Sequence, residues 1–346
     1  MMPVDLVDEQ LKLSLLLERY RPVTVSETTK ALSEALDNIQ LKILKTEDLT
    51  QRLRLKQLES TIINELNKAY AVMGQAIPKD VAEVSEVAFT QSMKALGTHG
   101  AEVIAFAAMP KRTISAIMDM NEITLLDGKG YRLSDFVDLQ KDSHVKRFRQ
   151  IVAAGIAEGA GTPTISRRLK EVNTTVTRRE LQTIAHTVVA EASGRGSAAA
   201  YKQADDVIIG WESVGVLDGR TSKRCAALYG LVWLKSKGWT VDKLKANNYW
   251  WPRHFNCRSR VVPITKYSAE LEKQRTIAAN GDEPGQVSAK TDFQTFFDRQ
   301  SVSFKREYLG DARYKLYEEN RMKISQFVDI KSGREYTIAE IKERVS

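Results

Sequence analysis

The chain has 346 residues, of which 42% are hydrophobic and 28% are charged, a composition typical of globular proteins with a packed core. This balance excludes a wholly disordered chain, and the presence of only two cysteines, Cys225 and Cys257, excludes a scaffold built on disulfides. The 52 Lys and Arg against 44 Asp and Glu give a net charge of +8, which favours polyanionic partners but is also ordinary for a basic soluble protein.

The N-terminal segment is acidic and lacks the hydrophobic region of a signal peptide. Nowhere does the sequence approach about 18 uninterrupted apolar residues, so no membrane span is expected. Together with the few cysteines, these features predict a protein that is made and kept in the cytoplasm, whatever larger assembly it joins later.

Helical periodicity dominates residues 1 to about 160. Thr24 and Glu27 form a capping box in front of the first long amphipathic segment. A second apolar stripe follows, which Pro78 is expected to interrupt before the helical pattern resumes up to Gly97.

A further helix and a loop are expected over residues 98–122, and a turn over 127–130. A long helix then starts at Leu133 and is expected to stop at Gly159. Thr162 provides the N-cap of a short helix, with a proline in its first turn.

The next predicted helix has Thr177 and Glu180 as a second capping box. Its apolar residues recur every three or four positions, which predicts one buried stripe. The stripe consists of Leu181, Ile184, Val188 and Ala192.

The sequence changes character after residue 201, where β-branched and aromatic residues lie between turn residues. A short helix carries Cys225, with Asp218 and Thr221 as candidate caps of its start, and is expected to end at Gly230. A loop rich in Trp follows it. The predicted strands are 207–213, 231–233 and 258–264.

Residues 279–290 have the composition of a polar linker, and 292–320 that of a final helical unit. The tail is predicted to form a hairpin turn followed by a terminal helix. The fold class is therefore mainly α with a small α+β module, around residues 201–266, between helical regions.

The most informative stretch is LDGRTSKRCAALYGLVW, followed after a loop by WPRHFNCRSRVVPI. The order and spacing of its residues resemble the phage Mu F-like head-morphogenesis family of minor capsid proteins. Two positions depart from the family pattern, because Ser222 and Ser259 stand where many members carry Cys. The matching positions are Asp218, Arg220, Thr221, Cys225, Leu228, Gly230, Pro252, His254, Cys257, Arg258 and Pro263.

The resemblance extends on both sides of this motif, over roughly residues 133–330. Upstream, Thr187 is kept from an Arg-Thr-Glu triplet of the family, whereas His186 and Val188 replace its neighbours. We divide the chain into a helical N-terminal region for portal or capsid docking or oligomerisation, a Mu F-like domain, and a linker with a C-terminal helical extension. Their predicted ranges are 1–130, 131–278 and 279–346.

The resemblance implies a structural virion protein and no enzyme. Such proteins are present in few copies per head and associate with the portal, and some are thought to contact packaged DNA. We therefore expect a role in head assembly and in DNA packaging or ejection. The expected partners are the portal protein, the major capsid protein or other internal virion proteins, and double-stranded DNA. The expected location is the capsid interior or portal vertex, after assembly in the host cytoplasm.

Three motif residues have side chains that bind metals, namely Cys225, His254 and Cys257. Structural zinc sites usually have four ligands, and Asp218 offers a fourth, whereas serine is a poor one. In the alternative, Cys225 is a small buried hydrophobic residue and His254 a hydrogen-bonded turn residue. We therefore expect no cofactor, with zinc at these three residues, or a disulfide between the cysteines, as open alternatives.

A nuclease-like, nucleic-acid-processing enzyme is the alternative from a different class. In it, His254 would act as the base and a neighbouring arginine would bind phosphate. The sequence places no cluster of carboxylates and no second histidine close to His254, which favours a structural role.

Basic residues are concentrated over residues 141–180 and around His254. They are candidate DNA contacts, because such side chains pair with phosphates without reading the sequence, and the alternative is a solvated helix face. The aromatic residues beside Arg253 are expected to form a small hydrophobic core rather than to stack on bases. The candidate contacts are Lys146, Arg147, Arg149, Arg167, Arg168, Arg178, Arg179, Arg253, Arg258 and Arg260.

Overall fold

The structure, a computed structural model, describes residues 6–18, 20, 23–46, 52–99, 122–124, 130–172, 178–266, 274–277, 285–288 and 291–345. Within these ranges the chain forms 12 α-helices and a small three-stranded antiparallel sheet in its C-terminal region. This confirms the predicted fold class, mainly α with a small mixed module. Among the described helices, none combines the length and hydropathy needed to cross a bilayer.

The helices range from short turns to a rod of 48 residues. They are, in chain order, α1 (Leu6–Glu18), α2 (Val23–Leu44), α3 (Arg52–His99), α4 (Leu133–Ala157), α5 (Thr162–Val172), α6 (Arg178–Gln203), α7 (Lys223–Leu228), α8 (Val241–Ala246), α9 (Phe293–Arg299), α10 (Val302–Leu309), α11 (Asp311–Asn320) and α12 (Ile338–Val345).

The strands are β1 (Glu122–Thr124), β2 (Gly130–Arg132), β3 (Ile208–Val214), β4 (Val232–Leu234), β5 (Arg260–Thr265), β6 (Gln274–Ile277) and β7 (Gly285–Ser288). β3 is the centre of the largest sheet, between β4 and β5. Trp211 on β3 lies opposite Trp233 on one side and Pro263 on the other. These three strands confirm those predicted after residue 201.

β7 lies inside the segment that was predicted to be a polar linker, and it pairs with β6 over four residue pairs. The linker prediction is therefore wrong at these residues, because composition does not reveal a backbone partner farther back in the chain. The helix and loop predicted over residues 98–122, the residues between β1 and β2, and the cap at Thr177 lie almost wholly outside the described residues.

The first turn of α2 is capped by a side chain from α3. Because α2 begins at Val23, the capping box predicted for Thr24 and Glu27 is wrong. Instead, the Asp80 carboxylate accepts hydrogen bonds of 2.9 Å from the backbone N–H of Val23 and of Thr24. Asp80 is buried, and its negative charge lies at the positive end of the α2 dipole.

α3 continues through Pro78, so the predicted interruption there is wrong. A proline inside a helix removes one hydrogen bond and costs about 3 kcal/mol. Met73 and Ile77 are buried before the proline, and Val84 and Ala88 are buried after it. Burial of a continuous apolar face on both sides of the proline offsets this cost.

α6 packs closely against α3. A Cβ at Gly196 would lie 2.2 Å from the carbonyl oxygen of Ser85, so only glycine allows this approach. Ser85 Oγ donates to the carbonyl oxygen of Ala192 at 3.0 Å, and Ser92 Oγ donates to Ser197 Oγ at 3.0 Å. The apolar stripe predicted for α6 is buried, which confirms it.

Two large hydrophobic cores hold these elements together. One lies among α2, α3, α4, α5 and α6. The other contains residues of all three predicted segments, among them Leu6, Phe89, Trp211 and Phe297. This packing joins the three predicted segments around a shared core. It does not test the predicted domain boundaries.

The cap supplied by Asp80 predicts a measurable contribution to stability. Replacing Asp80 with Ala leaves two N–H groups at the start of α2 without their acceptor, and should lower the free energy of unfolding by about 2 kcal/mol. Urea unfolding measures this change. Asp37→Ala, at an exposed position of α2, should change it by less than about 0.5 kcal/mol. Equal effects of the two substitutions would show that the cap contributes nothing.

Candidate functional site

The two halves of the motif meet at Asp218, a fully buried carboxylate in the loop after β3. Its Oδ2 accepts a hydrogen bond of 2.7 Å from Nη1 of Arg258, and its Oδ1 accepts another of 2.5 Å from Nη2. Oδ1 also accepts a hydrogen bond of 3.0 Å from the backbone N–H of Arg220. This bidentate pair joins the loop before α7 to the loop before β5.

Burial alone would raise the pKa of Asp218. The hydrogen bonds and charge of Arg258, with a further contribution from Arg220, outweigh burial and hold the pKa of Asp218 below its usual value. The carboxylate is therefore ionised at neutral pH, as an ion pair requires.

The cap of α7 differs from the prediction, which named Asp218 and Thr221. Ser222 is the N-cap, and its Oγ accepts a hydrogen bond of 3.3 Å from the backbone N–H of Cys225. Thr221 donates its hydroxyl proton to the carbonyl oxygen of Val216 at 2.7 Å. Asp218 and Thr221 thus shape the loop before the helix, and the side chain that caps the helix is one the sequence analysis did not assign.

The end of α7 confirms the prediction for Gly230. The helix ends just before this residue, which has a φ of 85°. Glycine adopts this left-handed backbone without the steric cost that other residues meet. The backbone N–H of Gly230 then donates to the carbonyl oxygen of Ser213 at 2.8 Å, which ties the helix end to β3.

Cys225, His254 and Cys257 converge in one cluster, although 28 residues separate the first two in the sequence. Cys225 Sγ lies 3.1 Å from His254 Nε2 and 3.9 Å from Cys257 Sγ. The ligand atoms of all three lie within 4.8 Å of one another. Ser222 Oγ lies 2.8 Å from His254 Nε2, so the helix cap is also part of this cluster.

A tight turn presents His254 and Cys257 to the cluster. The backbone N–H of Cys257 donates to the carbonyl oxygen of His254 at 3.2 Å, and Asn256 has a φ of 56°. Asparagine tolerates this left-handed backbone better than most residues. The backbone N–H of Asn256 donates to Thr187 Oγ1 at 3.3 Å, so α6 supports the turn.

Burial raises the pKa of Cys225, and the neighbouring Cys257 raises it further. Burial also acts to raise the pKa of Cys257, but hydrogen bonds with Cys225 and His254 outweigh it and bring this pKa well below its usual value. Burial lowers the pKa of His254, whereas the hydrogen bond and charge of Cys257 more than offset it and raise this pKa. A negative charge on Cys257 and a positive charge on His254 therefore stabilise each other.

Two of the candidate DNA contacts are in the core. Arg253 is 2% exposed and donates to the carbonyl oxygen of Tyr249 and to Ser213 Oγ. Arg260 is 3% exposed and donates to Ser193 Oγ. Their burial makes these two residues weaker candidates than the exposed basic residues, and DNA contact at them stays a prediction. Both guanidinium groups are held by packing and hydrogen bonds of the protein itself.

Arg224 has a structural role that the sequence analysis missed. Its guanidinium group is 2% exposed and donates to carbonyl oxygens on both sides of the cluster. No sequence signal distinguishes it from a solvated helix residue, because its acceptors belong to distant loops. These acceptors are the carbonyl oxygens of Asn248, Arg253, Ile330 and Lys331.

The Trp-rich loop forms a small hydrophobic core, as predicted. The rings of Trp250 and Trp251 stack with centroids 4.3 Å apart, and both residues are buried. Trp250 Nε1 donates to the carbonyl oxygen of Gly194 on α6 at 3.3 Å. Tyr249 stacks on Trp233 of β4. Bases of a nucleic acid cannot stack on the two buried tryptophans.

The basic helix residues differ in exposure. Lys146 and Arg149 on α4 and Arg167 on α5 are exposed. The side chains of Arg178 and Arg179 lie outside the described residues.

Arg147 and Arg168 are half-buried and form ion pairs. Arg147 Nη2 lies 2.8 Å from Glu180 Oε1, and Arg168 Nη1 lies 2.7 Å from Glu158 Oε2. Their charges are partly neutralised, whereas Arg149 has only a long ion pair of 4.0 Å with Glu59. Arg147 and Arg168 are therefore weaker candidates for phosphate contact than the three exposed residues.

Comparison with known proteins finds one family. Residues 146–262 match the model of the family described as Phage Mu protein F like protein. The matched region contains the cluster, the Asp218–Arg258 pair and most of the central sheet. No match was found among the curated proteins or among the solved structures. The family match confirms the resemblance that the motif indicated, over the central part of the predicted range.

The Asp218–Arg258 pair predicts a pH-dependent contribution to stability. Asp218→Asn leaves Arg258 without its counter-charge and should lower the free energy of unfolding at pH 7 by about 3 kcal/mol. Because the folded-state pKa of Asp218 is lowered, its contribution is complete above the unfolded value of about 3.9 and disappears as pH falls through the folded value.

Urea unfolding at pH 7 and at several lower pH values tests this expectation. The difference between the two proteins should narrow only at acidic pH. Asp206→Asn, at an exposed position, is the matched control and should change little at any pH. A difference that is constant with pH would contradict the role of the Asp218 charge.

Proposed function

We propose that the chain is a minor capsid protein of a tailed phage, because residues 146–262 match the model of the Phage Mu protein F like family. In this proposal it acts in head assembly and in packaging or ejection of the genome. The family match carries the proposal, since it indicates a phage head-morphogenesis protein associated with the virion. The capsid interior or the portal vertex is the proposed location.

Docking on the portal or on the inner capsid surface is proposed for the N-terminal helices. Leu41 and Leu44 in the last turn of α2 are 54% and 53% exposed. Residues three apart lie on the same face of a helix, so these leucines form a small apolar surface. Exposed apolar surface of this kind is typical of protein contacts.

Deleting residues 1–130 is a poor test of docking. α1 and α3 contribute Leu6 and Phe89 to the core that also holds the Mu F-like region, so the deletion would expose that core. Substitutions on the surface leave the packing intact and separate a docking defect from misfolding.

The docking proposal is tested by co-expressing the chain with the portal and major capsid proteins of its own phage, followed by gradient sedimentation at high salt. The wild-type chain should travel with portal complexes or procapsids. The double variant Leu41→Lys, Leu44→Lys should reduce the bound share about tenfold, because loss of about 1.4 kcal/mol of binding corresponds to that factor.

The matched control is Leu139→Lys, Val302→Lys, which changes two residues of similar exposure elsewhere. It should sediment like the wild type. A wild-type chain that stays at the top of the gradient would refute the head-protein proposal. If the Leu41→Lys, Leu44→Lys variant binds portal complexes or procapsids as well as the control variant does, only the proposed docking surface is refuted.

Contact with packaged DNA is the second part of the proposal. Lys146, Arg149 and Arg167 are exposed within the matched family region, and their charges are those that phosphates attract. Contacts of this type position a protein on DNA without reading its sequence. They suit a protein that meets a genome of arbitrary sequence.

Replacing Lys146, Arg149 and Arg167 with Ala should weaken binding to double-stranded DNA for every sequence. The slope of log Kd against log salt concentration should fall by about 1 for each phosphate contact removed. Fluorescence anisotropy over a series of salt concentrations measures both quantities. The control variant replaces three exposed lysines elsewhere with Ala, namely Lys30, Lys237 and Lys342. If the slope of log Kd against log salt concentration falls equally in both triple variants, DNA binding depends on the net charge of the protein and on no particular face.

A nuclease centred on His254 is the alternative from another class. Its Nε2 faces Cys225 and Ser222, and among the described residues the cluster that contains it includes no carboxylate. Incubation of plasmid DNA with the wild type and with His254→Ala distinguishes the nuclease from a structural protein. Cleavage that disappears in the folded variant would establish the enzyme, whereas intact DNA with both proteins supports a structural role.

A further inference from the structure

We infer that Cys225, His254 and Cys257 bind one zinc ion, with Ser222 at its fourth coordination position. The inference goes beyond the proposed head function, because it concerns the isolated chain and needs no capsid partner. It rests on how four side chains, two from the start of α7 and two from the turn before β5, come together.

The spacing of the ligand atoms suits a tetrahedral zinc ion. Bond lengths of about 2.3 Å to sulfur and about 2.0 Å to nitrogen place two thiolates about 3.8 Å apart and a thiolate and an imidazole about 3.5 Å apart. The two sulfurs lie 3.9 Å apart, and Cys225 Sγ lies 3.1 Å from His254 Nε2. A small outward movement of the imidazole makes room for the ion.

The imidazole of His254 is oriented as a zinc ligand requires. Its Nδ1 lies 2.7 Å from the carbonyl oxygen of Phe255. A carbonyl only accepts, so Nδ1 carries a proton and Nε2 is the nitrogen left to face the sulfurs. Histidine ligands commonly donate their other ring N–H to a backbone carbonyl in this way, which fixes the ring and increases its basicity.

A buried positive charge lies beside the two cysteines, which bind metal as thiolates. Arg224 is buried next to Cys225 in the chain, and its charge interacts with both cysteine sulfurs. Both thiols are free in this structure, with their sulfurs 3.9 Å apart.

Ser222 lies at the remaining corner of the cluster. Its Oγ lies 2.8 Å from His254 Nε2 and accepts from the backbone N–H of Cys225. Ser222 and Cys225 have the same spacing as His254 and Cys257, which is the paired spacing of structural zinc sites. A neutral hydroxyl is a poor ligand, so we expect this position to be weak or filled by water.

The cluster lies beside a cavity. Cys257 and Asn256 line a cavity of about 400 Å³ that is also bordered by Arg220 and by His186 of α6. The cluster is therefore buried but lies beside a space that ions can enter, which a functional metal site needs.

The first test is the metal content of the full-length chain, purified under reducing conditions and measured by inductively coupled plasma mass spectrometry. We expect about one zinc per chain. Replacing zinc with Co²⁺ should give the d–d bands of a tetrahedral site and a sulfur-to-cobalt charge-transfer band. Cys257→Ser should abolish the charge-transfer band or reduce it by about half, with the helical circular dichroism unchanged.

Ser222→Cys makes the test independent of any loss of folding, because it should improve the site. A third thiolate should increase the charge-transfer absorbance by about half and slow zinc release to a chromogenic chelator. Ser259→Cys is the matched control, since Ser259 Oγ contacts Tyr229 rather than the cluster. It should leave the cobalt spectrum unchanged.

Three results would overturn the inference. The first is a reduced, folded wild-type chain without zinc that gives no tetrahedral cobalt spectrum. The second is a Ser222→Cys variant whose cobalt spectrum equals that of the wild type. The third is a Cys225–Cys257 disulfide, found by mass spectrometry in the full-length chain purified from the producing cell. None of these results bears on sedimentation with the head, so the proposed head function is judged separately.

Discussion

The ion pair between Asp218 and Arg258 is the contact on which the arrangement of the site depends. Two unpaired charges would be costly at this depth, so the carboxylate and the guanidinium stay together. Holding them together brings the start of α7 against the loop that leads into β5. Cys225 is on the first of these elements, and His254 and Cys257 are on the second. The geometry of the cluster is therefore a consequence of a contact in which none of its members takes part.

Further contacts, from Arg224 and from α6, support this arrangement. Arg224 holds the loop before His254 and the tail of the chain through their backbone carbonyl groups. α6 supports the other side, where Thr187 contacts the turn between His254 and Cys257. The motif is thus fixed by elements from distant parts of the sequence. These contacts explain how a loop without regular secondary structure holds the side chains of His254 and Cys257 in fixed positions.

Much of this architecture is local and could be predicted from the sequence. The stripe on α6, the three strands of the main sheet and the stop at Gly230 follow from periodicity and from residue types that act on their own neighbours. The convergence of Cys225, His254 and Cys257 was suggested by their residue types, although their distances required the structure.

The failures share one cause, which is a partner far away in the chain. Asp80 caps α2 from another helix, so no local cap signal could identify it. Pro78 stays inside a helix because packing on both sides outweighs its local preference. Arg253 is charged and lies in a basic stretch, yet its hydrogen bonds to Tyr249 and Ser213 keep it in the core. From residue type alone, such residues are expected at the surface, and only the fold shows that they are buried.

The core shared by the beginning and the end of the described chain has a kinetic consequence. Leu6 and Phe327 belong to one cluster, so this core is complete only when the last of its residues has been synthesised. Contacts between residues so distant in sequence slow folding and leave apolar surface open to aggregation in the meantime. We therefore expect the core of the newly made chain to be completed only after its last helices have been synthesised.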